Sequence, residues 1–253
     1  IAEACRVLAT PVTGGNVSFY NDGRGGAVDP TPVIGMIGLI EGAGTPLTAS
    51  FQDEGDAIIL LGETREELGG SEYLAVIHGR KTGKPPRVDL QKERALHRVV
   101  LAAHADGLLK SAHDCSEGGL AVALAEMAFS GGLGMEVFLS DVPYGAGQMT
   151  EDRGQMTEDR GQRTDDRRQK TEGRGQNKRD DFVLFSESNS RFIAEVKKEN
   201  QKEFEKAMAG LPIGLIGCVS KNNIFKVYGL NGKTCVEAAI EDLKEAWKKP
   251  LNW

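Results

Sequence analysis

The chain has 253 residues, a formal net charge of −6 and a pI near 5.4. That length is enough for a sizeable core in one large domain or two small ones, and the acidic balance excludes a general nucleic-acid binder, which carries a basic patch. Cys5, Cys115, Cys218 and Cys235 lie far apart with no CxxC pair, so neither a disulfide framework nor a structural zinc site is indicated and a reducing cytoplasm is the default compartment. The strongly apolar runs, such as Ala57 to Leu61, are too short to span a bilayer, and the start has no leader-like pattern. The first residue, Ile1, opens a helical pattern already under way, so a fragment of a longer chain is expected.

In chain order, Ile1, Ala4, Cys5 and Leu8 recur at helical spacing until Thr10-Pro11 stops the helix. A glycine-rich loop follows, Val12-Thr-Gly-Gly-Asn-Val-Ser-Phe-Tyr20, and then Thr31 to Ile40, an apolar run that reads as a buried strand. A domain boundary is placed near residue 46. Asp56 to Gly62 reads as a short buried strand, Ser71 to Ile77 as a helix, and Asp89 to about Gly107 as a longer helix with Leu90, Leu96, Val99, Val100 and Ala103 in period. Ser111 to Leu120 is polar turn material running into an alanine-rich helix, and Met135 to Leu139 alternates as a strand.

From Gly147 to Asp181 the unit Gly-Gln-Met-Thr-Glu-Asp-Arg recurs at 147 and 154 and decays from 161 onward. With a period of seven but no apolar heptad positions, it is not a coiled coil and lacks the aliphatic surface to offset its ordering entropy. It is expected to be a disordered insertion in a surface loop. Phe182 to Val196 then reads as two strands joined by a polar turn, Glu199 to Met208 as a helix, Ile213 to Val219 and Asn223 to Tyr228 as strands, and Cys235 to Trp247 as an amphipathic helix. The alternation implies a mixed α/β (α+β layered) domain.

Two stretches are candidates for chemistry. In Asp114-Cys-Ser-Glu-Gly-Gly119 a polar turn leads into a helix, whose first N–H groups and partial positive charge suit a phosphate or carboxylate. Simple capping by Asp114 or Ser116 accounts for the same residues, and both readings stay open. In Gly14-Gly-Asn-Val-Ser18 paired glycines permit close backbone approach while Asn16 and Ser18 offer neutral polar groups, although no P-loop pattern is present. His113 is read as a structural hydrogen bonder, and Cys115 as a small half-buried residue rather than a nucleophile.

Together, Thr10 to Asn21, Pro32 to Ile40, Leu68 to Tyr73, Ala112 to Ala121 and Ser186 to Phe192 make the chain resemble the C-terminal part of the large, synthetase subunit of phosphoribosylformylglycinamidine synthase. The resemblance covers nearly everything outside 147 to 181. It implies that residues 1–45 end a second β-rich domain, and that 46–146 with 182–253 form a mixed-sheet C-terminal α/β domain like that of aminoimidazole ribonucleotide synthetase. It implies a reaction in which ATP phosphorylates the amide oxygen of formylglycinamide ribonucleotide and ammonia then displaces phosphate to give the amidine. Ammonia would come from a separate glutaminase subunit joined through a small bridging subunit.

By position, the resemblance assigns Gly15 to ATP, Asn16 to Mg²⁺ and Ser18 to the substrate. It places Asp114, Ser116, Gly118, Gly119, Glu187 and Ser188 at a possible second nucleotide site. No catalytic residue is expected in this chain, because the family's catalytic histidines belong to the N-terminal half, so the chain alone is expected to be inactive. Three alternatives stand beside this reading: a non-catalytic assembly remnant, a related enzyme such as aminoimidazole ribonucleotide synthetase, and a complete small nucleotide-binding enzyme.

Overall fold

The computed structural model describes residues 1–16, 22–28, 31–40, 46–145 and 179–251. These separate into two compact units, Ile1–Pro46 and Leu47–Trp253. Most of the repeat expected to be disordered, like Ser18, lies outside the described residues.

In the first unit, helix α1 (Ala2–Leu8) ends at Ala9, whose φ of 56° breaks the helical ladder. Strands β1 (Asp22–Gly23) and β2 (Gly26–Ala27) form a two-stranded antiparallel hairpin. The run from Thr31 to Ile40 is not a strand and its side chains are exposed, contrary to the expectation of a buried strand. Apolar composition alone does not make a strand; it needs a neighbour to complete its ladder and apolar surface to bury against. Among the described residues this unit has no sheet beyond the small hairpin.

The second unit is built on a mixed seven-stranded sheet of order β4-β6-β3-β7-β5-β8-β9. Strand β3 (Ala57–Leu61) sits inside this sheet and is buried along its whole length. Its alternation divides the core: Ala57, Ile59 and Leu61 face one layer, Ile58 and Leu60 the other. On the first side helix α3 (Leu90–Ala105) packs through Leu96, Val100 and Ala103. It starts where the Asp89 carboxylate accepts from the N–H groups of Gln91 (3.0 Å) and Lys92 (3.2 Å), a side-chain cap for two otherwise orphaned donors. Helix α2 (Glu72–His78) is capped in the same way by Ser71.

The opposite layer is dominated by helix α4 (Gly119–Gly131), whose Leu120, Ala123, Leu124 and Met127 join the larger core cluster. It is reached from edge strand β4 (Ser111–Asp114), which pairs antiparallel with β6 (Phe192–Val196). Strand β5 (Gly134–Phe138) follows α4. Helix α5 (Asp180–Phe185) and α6 (Gln201–Ala207) flank β6 in the chain, on either side of it. Strand β7 (Ile213–Ser220) pairs antiparallel with both β3 and β5. Strand β8 (Ile224–Tyr228) runs parallel to β5, and β9 (Thr234–Ala239) closes the far edge before helix α7 (Ile240–Lys248) packs back on α4.

Three elements differ from the sequence reading. Ser111–Asp114, read as a turn, is a strand, because β6 supplies a full ladder to a segment too polar to announce itself. Phe182–Phe185, read as the start of a strand, and Asp180 and Asp181, read as the end of the disordered insertion, form a helix: the two aspartates occupy the first turn, where acidic groups suit the dipole. There the Asp181 carboxylate accepts from Phe182 N–H at 3.0 Å, while Val183 and Leu184 pack into the α4 layer. Cys235 to Ala239 extends the sheet as β9, and only the portion from Ile240 is helical. Small alanines there fit either state, and pairing with β8 decides.

The loop before β3 is pinned by one carboxylate. Glu195, in the middle of β6 and fully buried, accepts from Gln52 N–H (2.9 Å), Asp53 N–H (3.1 Å) and the Ser111 hydroxyl (2.6 Å). Burial pushes its carboxyl up, and the hydrogen bonds from Ser111, Gln52 and Asp53 oppose that rise. Replacing Glu195→Ala strands these donors, so urea unfolding is expected to show a loss of about 3 kcal/mol or more. Glu195→Gln, which keeps one carbonyl acceptor, is expected to lose clearly less.

Candidate functional site

The described part of the glycine-rich loop in the first unit, through Gly15 and Asn16, is exposed coil. The remaining candidates belong to the second unit, where the chain turns from β4 into α4. Cys115 N–H donates to Arg191 C=O at 3.1 Å and carries the sheet pairing one step past β4. Ser116 then folds back so that its hydroxyl donates to the Asp114 carboxylate. The turn closes through Gly118 (φ 77°) and Gly119 (φ 65°), two successive left-handed positions open to glycine at least cost. A Cβ on Gly119 would sit 2.4 Å from the Ser186 carbonyl oxygen, and one on Gly118 2.3 Å from a Val122 methyl.

Helix α4 has no side-chain cap from its own turn. Neither Asp114 nor Ser116 caps it. The acceptor is Glu187, far along the chain, whose Oε1 accepts from Gly118 N–H (2.9 Å) and also from Glu72 N–H (2.9 Å) at the start of α2. One carboxylate therefore ties two helix starts together, with the favourable sign toward both dipoles. Glu187 is aimed by the loop around Arg191. That guanidinium is almost fully buried and donates to Ser188 C=O (2.9 Å), to the Thr64 hydroxyl (3.0 Å) and to Ser186 C=O. The Ser188 hydroxyl, itself buried, accepts from Arg65 N–H at 3.0 Å, and the Ser186 hydroxyl accepts from Glu67 N–H at 3.2 Å.

The turn borders a cleft of about 440 Å³ lined by Glu72, His113, Asp114, Ser116, Gly118 and Trp247 among others. The structure thus brings Asp114, Ser116 and Gly118 to one wall, with Glu187 bonded behind Gly118. Gly119 is packed into the layer below, and Ser188 points inward. His113, Glu126 and Trp247 were not assigned to a site from the sequence. His113 lies between two carboxylates, Nδ1 at 3.3 Å from Asp114 and Nε2 at 2.8 Å from Glu126, while Trp247 Nε1–H donates to the other Glu126 oxygen at 3.1 Å. Only the adjacency of His113 and Asp114 was legible beforehand, since Glu126 and Trp247 arrive on α4 and α7.

Electrostatics follow this geometry. His113 and Ser116 hold the Asp114 carboxyl well below the usual carboxylate range, so Asp114 is ionised at neutral pH. Asp114 and then Glu126 raise the His113 imidazole against the effect of burial. Burial pushes the Cys115 thiol up to about 11, which agrees with a packing role and leaves little thiolate at neutral pH.

Comparison with known proteins bears on this arrangement. A family model described as AIR synthase related protein, C-terminal domain, matches residues 53–229. The chain belongs to this family. The AIR synthase related match contains the β4–α4 turn and the Arg191 loop, but β9 and α7, with Trp247, lie beyond it. The PurL subunit of phosphoribosylformylglycinamidine synthase from Moorella thermoacetica is 40% identical over 256 residues, covering 99% of this chain and 30% of that protein. The PurL subunit from Alkaliphilus metalliredigens is 39% identical over 254 residues, covering 100% and 29%. The chain therefore spans about 30% of the length of these curated relatives. Among solved structures, Thermotoga maritima PurL complexed with FGAR superimposes with a TM-score of 0.58 at 20% identity, covering 78% of this chain and 29% of that one. T. maritima PurL complexed with ATP gives 0.54 at 18% identity, covering 78% and 27%. These likenesses agree with the mixed α/β fold.

Two outcomes are expected. Gly119→Ala adds a methyl at positive φ against a backbone carbonyl and should lower stability by at least about 2 kcal/mol in chemical denaturation. Because the His113 pKa is raised in the folded chain, its contribution is fully present below the ordinary value of 6.5 and is lost as pH rises through the raised value. A stability profile measured across this window should therefore fall with pH, and His113→Gln should remove that fall.

Proposed function

We propose that the chain is part of an ATP-dependent carbon–nitrogen ligase of the PurL kind, acting in purine biosynthesis on formylglycinamide ribonucleotide. The supporting observation is that 40% identity extends over essentially the whole chain to a PurL subunit. The cleft beside the β4–α4 turn supports assigning a second nucleotide site there, apart from the reacting one. In it Asp114, Ser116 and Gly118 face a nucleotide, while Gly119, Glu187 and Ser188 hold the backbone that presents them. Gly15, Asn16 and Ser18 are the complementary assignments in the first unit, to ATP, Mg²⁺ and substrate in that order.

Among the described residues no group of three or more His, Cys, Asp or Glu side chains is arranged to hold a metal ion. Mg²⁺ at nucleotide sites is usually carried by phosphate oxygens with one or two protein carboxylates. Asp114, kept ionised by His113, suits such a ligand, beside the Asn16 assignment. When bound, the ion supplies charge neutralisation for the phosphates. The protein's share is orientation: Ser116 fixes the direction of the Asp114 carboxylate. The glutaminase subunit, the small bridging subunit and a cytoplasmic location belong to the same reading.

The test uses the 253-residue chain alone and mixed with a polypeptide carrying the remaining PurL sequence. The chain alone is expected to show no ATP hydrolysis dependent on formylglycinamide ribonucleotide, and the mixture to regain amidine synthesis. Asp114→Asn is expected to weaken Mg²⁺-dependent ATP binding by the mixture by roughly tenfold or more, the size of one charged contact. Turnover by the chain alone, or unchanged nucleotide affinity in Asp114→Asn, would overturn this assignment.

A further inference from the structure

A second cleft, of about 410 Å³, lies farther along α4 from the β4–α4 turn. The first cleft meets α4 at Val122 and Ala123, the second at Phe129 and Ser130, and Glu126 borders both. Both Glu126 oxygens are engaged, Oε2 with His113 and Oε1 by the Trp247 indole N–H, so these three side chains stand where the two clefts meet. One wall of the second cleft comes from α7, which supplies Lys244, Trp247 and Lys248, beyond the residues 53–229 that the family model matches. The two clefts differ in charge. Glu72, Asp114 and Glu117 line the first besides Glu126, whereas among the described residues Glu126 is the one carboxylate lining the second, opposite two lysines. Lys244 and Lys248, four apart on α7, are like charges on one helix face, an arrangement that is unfavourable without an anion nearby. Lys244 is 3.9 Å from the exposed Glu241, a solvated pair that contributes little, and Lys248 has no ion pair among the described residues. Beside them Trp247 is held by its bond to Glu126 and by Phe129, whose ring lies 5.7 Å away, yet it stays 50% exposed.

We infer that this second cleft binds a small planar aromatic anion, its ring laid on Trp247 and its phosphate or carboxylate held between Lys244 and Lys248. A concave space with apolar walls and a few charged groups that fix orientation is the ordinary form of a small-molecule site, and 410 Å³ is within the usual range. The ring takes from water the indole surface that Phe129 leaves uncovered. The anionic head relieves the repulsion between the two lysines and gives them charge-assisted partners. A neutral aromatic leaves the lysines unmatched, and a bare inorganic anion leaves the indole in water, so the cleft selects for both parts in one molecule. The chain as a whole carries a net charge of −6, which repels anions at long range, so recognition depends on these two lysines locally. Binding here requires neither ATP nor the remaining PurL sequence, and so it is separable from the synthetase reading.

The experiment titrates the full 253-residue chain with 1-naphthyl phosphate and, separately, with 1-naphthoate, followed by calorimetry and by the indole N–H resonance of Trp247. The chain has two tryptophans, so loss of one signal in Trp247→Phe assigns it. A Kd of roughly 0.5 mM is expected for the better of the two anions, the ordinary efficiency for a ligand of this size, with a shift of the Trp247 signal that saturates along the same curve. The tighter of the two names the head group. Inorganic phosphate alone and the neutral 1-naphthylmethanol are each expected to bind about tenfold more weakly or worse, the size of one lost contact class. Replacing both Lys244→Gln and Lys248→Gln should weaken the aromatic anion by about tenfold or more, while Lys244→Arg with Lys248→Arg keeps it within about threefold. The thermal unfolding of both double variants should move little, because neither lysine side chain is buried. No saturable binding of either anion, a Trp247 signal that does not move with binding, a neutral ring that binds as well as the anions, or unchanged affinity in the double glutamine variant would each overturn the site.

Discussion

The buried guanidinium of Arg191 is the constraint on which the site depends. A positive charge withdrawn from water must have its donors met, and here carbonyls of Ser186 and Ser188 and the Thr64 hydroxyl meet them. Meeting them forces residues 186–191 to wrap around a single side chain. That wrapping orients Glu187 outward, so that one carboxylate reaches the first N–H of α2 and the N–H at the start of α4. Burial lowers the affinity of Arg191 for its proton, yet guanidinium remains charged in proteins. Without the wrapped loop the ionised group would be stranded, and the two helix starts would lose their shared acceptor.

Glu195 performs a related task on the neighbouring strand register. It gathers the loop at Gln52 and Asp53 and the Ser111 hydroxyl of β4, and so fixes the edge strand that ends in His113 and Asp114. Lys110, one residue before β4, is paired with Asp53 and with Asp56 (3.1 Å) in the same region. The segments that line the cleft are thus held by two buried polar anchors behind them and by a glycine turn that cannot accept side chains. Rigid support of this kind is what positions groups that handle a flexible, highly charged ligand.

Much of the architecture was legible in the sequence because it depends on local pattern. The helix capped by Asp89, the all-apolar β3 and the alternating β5 announce themselves by period and by flanking residues. The strand β4, the helix α5 and the strand β9 do not. Each is short, and each takes its conformation from a neighbour distant in sequence: β6 for β4, α4 for α5, β8 for β9. The same limit governs the site. Asp114, Ser116 and Gly118 stood out as a polar turn before a helix, whereas Glu126 and Trp247 gave no local sign of facing His113.

What the sequence by itself determined is the family, through several long motifs in fixed order, and the chemistry available at the β4–α4 turn. It also singled out Thr31 to Ile40 as a segment that should be covered, because apolar density is a property of composition. The tertiary structure alone decided that the acceptor for Gly118 N–H is Glu187, rather than Asp114 or Ser116 capping the helix, and that Ser188 faces inward. These outcomes turn on which donor meets which acceptor across the fold. An orphaned N–H is satisfied by whatever acceptor the packing brings within about 3 Å, and local sequence carries no record of that partner.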